Sequence, residues 1–146
     1  MPRTISSLFV VLALSAVITT PFPASAASMM DAFASLLSQE KTPVDRLFFA
    51  LGLDHVHCFA AWEYARAAGN PAFAVDKCTS DIGNTGISEF KPNLRNSETE
   101  TTLKELVVYW RAELASMGLK DYSEEVAVLR RIKSMTERIR VQNEWR

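Results

Sequence analysis

Asp54, His55, His57 and Cys58 sit together in this sequence, with Cys78 further on, and combine side-chain types that can ligate a metal or attack a substrate. Carboxylate, imidazole and thiolate are all ligands for zinc or copper. Helical geometry narrows the set. Residues two apart lie about 200° apart around a helix axis, so His55 and His57 cannot reach one ion from an intact helix. Asp54, His57 and Cys58 share a side at i, i+3 and i+4 spacing and form the candidate soft-metal site. His55 falls instead in the apolar stripe of the same helix, which predicts a core histidine, with His57 facing solvent.

A disulfide between Cys58 and Cys78, the only cysteines, competes with that site and is the leading reading if the chain is exported. With a reversal at Gly69, Asn70 and Pro71, Cys58 lies about 15 Å before the turn and Cys78 about 10 Å after it, at roughly 1.5 Å per residue. Helix tilt absorbs that mismatch. Closing this loop contributes about 3 kcal/mol by restricting the unfolded chain, and it withdraws Cys58 from any metal site.

Enzyme parts are scarce. A histidine-dependent hydrolase would have to use His55 or His57, the only two histidines. No glycine-flanked serine elbow or phosphate-cradling glycine loop is present. Cys58 and His55 lie alongside each other on one helix face with no third residue to orient them, and Glu63 belongs to a polar helix edge. The expectation is a protein that is not an enzyme and carries no cofactor.

The amino-terminal residues point to a compartment. Arg3 precedes an apolar run from Leu8 to Ile18, then Pro21, Pro23 and the small residues Ala24, Ser25 and Ala26, the layout of an export signal cut after residue 26. The apolar run is about half of the roughly 20 residues a membrane-spanning helix needs. No membrane anchor is expected after cleavage, and the chain is expected in the periplasm or outside the cell. Residues 27–146 are the size of one domain. Removing Arg3, the one charge of the leader, takes the formal balance from −1 to −2, which disfavours nucleic acid as a partner.

The elements that must position these residues read as helical throughout. The spacing predicts a small all-α bundle of four to five helices. A first helix is expected over Met29 to Leu37 with Met30, Phe33, Ala34 and Leu37 on its inner side. A second starts at Thr42 with Pro43 in the first position, buries Val44, Leu47, Phe48, Leu51, His55, Cys58, Phe59, Trp62 and Ala65, and continues through Gly52. A short third helix is expected from Pro71 to about Ser80, then a long polar loop from Asp81 to Asn96, a first place to look for a partner surface. Ser97 with Glu100 reads as the capping box of a helix whose stripe is Leu103, Leu106, Val107, Trp110, Leu114 and Met117, with Gly118 as its stop. Ser123 caps a last helix that buries Leu129, Ile132, Met135, Thr136, Ile139 and Asn143, with Glu124 and Glu125 at its positive end.

Two surfaces follow from this layout. Opposite the core stripe of the second helix lie Phe49, Leu53, Val56, Ala60 and Tyr64, so the helix is apolar on two sides. Such a helix is central in its own bundle or covered by another chain, a protein partner or a second copy in a homodimer. Phe49, Leu53 and Tyr64 are the candidate contact residues. Arg130, Arg131, Lys133, Arg138 and Arg140 form the outer arc of the last helix, interspersed with Glu137 and Glu144, and read as a solvated face. Trp145, near the carboxyl end, is either a terminal anchor or a contact residue. The function expected on these grounds is binding of a protein partner by an exported helical protein of inhibitor, immunity or adaptor type. A soft-metal binding protein using Asp54 to Cys58 is the alternative.

Overall fold

The structure, a computed structural model, describes residues 24–69 and 78–144. Among them every regular element is helical: α1 (Ala24–Leu36), α2 (Pro43–Ala67), α3 (Asp81–Phe90) running into a 3₁₀ turn (Lys91–Asn93), α4 (Ser97–Ala115) and α5 (Tyr122–Glu144). The expected all-α bundle is what forms.

Helix α2 organises the rest. Thr42 and Asp45 close a reciprocal capping box: the Thr42 hydroxyl accepts from the Asp45 amide at 3.3 Å and the Asp45 carboxylate accepts from the Thr42 amide at 3.0 Å. The helix then runs 25 residues without a break at Gly52. Gly52 stays in the helix because its missing side chain admits the ring of Phe33 from α1, where a Cβ would collide. Val44, Leu47, Phe48, Leu51, His55, Cys58, Phe59 and Ala65 are buried as expected, with Trp62 half-buried. All four other helices touch α2.

The middle of the second apolar face of α2 is covered by its own chain, while Phe49 and Tyr64 at its ends stay exposed. Near one end the Ser25 hydroxyl donates to the Glu63 carboxylate at 2.7 Å; toward the other, Phe33 packs on Gly52 and Phe48. Helix α1 therefore lies antiparallel along α2, and Val56 in the middle of that face is fully buried.

Several expected details change. Helix α1 is already formed at Ala24, ahead of the expected Met29, and buries Ala26, Met29 and Phe33; Met30, Ala34 and Leu37 face outward. Both stripes have helical spacing and share Phe33, and small Ala26 gives the true one little weight in the sequence. Residues 70–77, most of the expected third helix, lie outside the described residues, and its expected end, Cys78 to Ser80, is not helical. The expected loop from Asp81 is helix α3. Its inner positions Gly83, Ile87 and Phe90 are buried, and a glycine at an inner position hides the period. The cap of α4 is Asn96, not Ser97: its side chain accepts from the Thr99 amide at 2.8 Å. The cap of α5 is Asp121, not Ser123, since Asp121 accepts from the Glu124 amide at 2.9 Å while Glu124 accepts from the Asp121 amide at 2.8 Å. Met135 and Asn143 are half-buried.

Trp110 locks α4 to α2. Its ring is fully buried and its indole N–H donates to the Leu51 carbonyl at 3.1 Å, so a large apolar surface is buried without orphaning its one polar atom. Gly118, at φ 90°, takes the left-handed conformation after α4, and its bare Cα lies against the Trp62 indole.

Candidate functional site

Cys58 of α2 and Cys78, just before α3, form a disulfide, with Cα atoms 4.5 Å apart. Asp54 stands one turn before Cys58 and is buried. Its Oδ2 accepts from the Gly83 amide at 2.6 Å, in the first turn of α3, where Ser80 supplies no side-chain cap. Asp54 thus caps α3 from another helix, satisfying a donor that a helix start leaves free. Burial pushes its carboxyl above the ordinary value of 3.8, the Gly83 amide and the charge of His57 opposing the shift. His57 is exposed. Of the candidate metal set, then, Cys58 is committed to sulfur and Asp54 to an amide. Among the described residues no group of three or more His, Cys, Asp or Glu side chains is placed to hold an ion.

The deepest polar contact joins α2 to α5. His55 Nε2 lies 2.8 Å from Glu125 Oε2, with side chains 0% and 1% exposed. The approach is close but off a hydrogen-bond line: neither ring nitrogen and neither carboxylate oxygen has a directed partner. Each group is the other's nearest polar neighbour in the core, and either one alone would be a stranded polar group there. Glu125, expected as a charge at the positive end of α5, is buried. Its position at i−4 from the buried Leu129 was the signal that placed it on the core stripe.

The surface around Phe49 has the opposite character. Phe49 is 45% exposed, and its ring lies 5.9 Å from Phe33, which packs in turn at a tilt on Phe48 at 5.7 Å. Leu37 is 37% exposed and Met30 39%. Met30 and Ala34 lie one turn apart on the outer side of α1, and Leu37, just past its end with its amide donating to the Ala34 carbonyl at 3.2 Å, continues that apolar row. Between Leu37 and Phe49 a cleft of about 320 Å³ is walled by Glu40, Lys41 and Arg46. The three candidate contact residues of α2 do not form one patch. Leu53 is half-buried against the core, and Tyr64, though exposed, lies 15 residues and about 22 Å along the helix from Phe49. Sequence reasoning missed Met30 and Leu37 as surface residues because they were assigned to the core.

Two of the five basic residues of the α5 arc, Lys133 and Arg140, are paired with carboxylates. Lys133 and Arg140 both pair with Glu137, Arg140 also meets Glu144, and Arg131 lies over the Tyr109 ring at 4.9 Å. Trp145 lies outside the described residues. No family model, curated protein or solved structure matches this chain.

Proposed function

We propose that this chain is an exported helical protein that works by binding a protein partner in the periplasm or outside the cell, and that the contact is made by the outer stripe of α1 together with Phe49. The observation that carries this reading is the exposed apolar row Met30, Ala34 and Leu37 beside an aromatic ring backed by the core. Buried aromatic anchors concentrate binding energy at an interface, and a ring already packed against Phe33 loses little freedom on contact. The α2 face between Phe49 and Tyr64 contributes less than the sequence suggests, because α1 covers it. The disulfide and the absence, among the described residues, of a helix long and apolar enough to cross a membrane are compatible with an exported protein.

The test uses the processed protein and its Phe49→Asp variant. Circular dichroism is expected to be unchanged, while recovery of a co-purifying envelope protein, or dimerisation read by sedimentation, falls at least about tenfold, a change of about 1.4 kcal/mol. Equal recovery by both forms removes this surface from consideration. Intact-mass measurement of the exported chain is expected to lack residues 1–26, and with them the first turn of α1, its Ser25–Glu63 contact and buried Ala26, leaving Met29 and Phe33 to hold α1 on α2; a full-length mass in the membrane fraction overturns the export reading.

A further inference from the structure

The first half of α3 is held to α2 by devices other than its own apolar side chains. The segment Asp81 to Gly86 contains two glycines and buries only Gly83. Ile87 and Phe90, both buried, anchor the second half. At ten residues, α3 is shorter than the roughly 12 to 15 that make an isolated helix even marginal in water, and glycine is the poorest helix former apart from proline. What fixes its start is the Cys58–Cys78 bond immediately before it, the Asp54 cap on Gly83, and the bare faces of Gly83 and Gly86, which lie against Trp110 and Ala50. Its packing against other helices is chiefly on α2, whereas α1, α2, α4 and α5 touch one another without it.

We propose that residues 78–86 form a redox-controlled cover over Trp110 and Asp54: seated while Cys58 and Cys78 are bonded, and released from α2 when the bond is reduced, with the four other helices still folded. A dithiol reductant delivers two electrons and two protons, the Sγ–Sγ bond breaks to give two thiols, and the reagent leaves as its own disulfide. Seating is the reverse, with a disulfide-donating oxidant accepting the two electrons and two protons. The Asp54 cap does not hold the segment alone, because it is a single hydrogen bond to a carboxylate that burial already disfavours as an ion. Resting on the export reading, this means that the chain crosses the cytoplasm with the cover open and completes its fold only in an oxidising compartment.

Hydrogen exchange read by mass spectrometry on the purified protein, oxidised and then reduced with dithiothreitol, tests the cover whether or not the chain is exported. Protection of amides 81–86 is expected to fall at least about tenfold on reduction, with α2, α4 and α5 changing less than about twofold, as for a locally opening unit. The Cys58→Ser/Cys78→Ser double variant is expected to show the same pattern without reductant. Unchanged protection at 81–86 overturns the proposal. So does an equal loss across all helices, in either the reduced protein or the double variant, since the bond would then be a staple of the whole fold.

Discussion

His55 of α2 and Glu125 of α5 face each other at 2.8 Å with both side chains closed off from solvent. Neither residue is tolerable there alone. Removing one partner strands a polar group in the core, while removing both leaves only a packing change, so the two positions depend on each other. His55→Leu and Glu125→Leu are each expected to lower the unfolding free energy by about 3–5 kcal/mol, and the double variant to lose far less than the sum. Urea unfolding of the four proteins closes the cycle. Additive losses would show that the residues do not act as a pair.

Asp54 carries a pH dependence with an unusual sign. Burial raises its folded-state carboxyl above the ordinary 3.8, so the native protein takes up a proton more readily than the unfolded chain. Stability at this site is therefore lowest above the folded value and rises as pH falls through it toward the ordinary aspartate range. An Asp54→Asn variant lacks the titration, so wild type should gain stability relative to it on moving from pH 7 to pH 4.5. Denaturation midpoints at the two pH values decide; a relative loss by wild type on acidification would contradict the assignment.

Glycine at position 83 is a packing requirement. A Cβ there would fall into the Trp110 ring and crowd the Asp54 carboxylate. Gly83→Ala gains up to about 1 kcal/mol of helix propensity but forces an overpacked contact worth roughly 1–3 kcal/mol. The fully buried, hydrogen-bonded indole has nowhere to move, so the expected result is a net loss. Thermal unfolding reads the sign directly, and a higher midpoint would mean that α3 sits further from α4 than described.

The register of α1 can be read from two adjacent methionines. Met29 is fully buried and Met30 is 39% exposed. Met29→Ala is expected to cost about 2–5 kcal/mol as a core truncation, and Met30→Ala to stay within about 0.5 kcal/mol as a surface change. Chemical denaturation distinguishes them. The reverse order would restore the stripe Met30, Phe33, Ala34 and Leu37 to the core.

Helix type, the stripes of α2 and α4, the α2 cap at Thr42 and the cysteine pairing were legible in the residues themselves, because period and capping chemistry are local properties and two cysteines allow one intrachain pairing. The remainder depended on which elements meet. Gly83 and Gly86 read as loop residues in isolation and become helix contacts only where α2 and Trp110 press on them. Asp54 reads as a ligand until the start of α3 offers it an unpaired amide. Glu125 reads as a dipole partner until His55 arrives from another helix, and Phe33 belongs to two equally periodic stripes until Gly52 makes room for one of them. A chain by itself determines what its residues prefer over a few turns. Burial is decided between segments far apart in the chain, by the space and the polar partners that each leaves for the other.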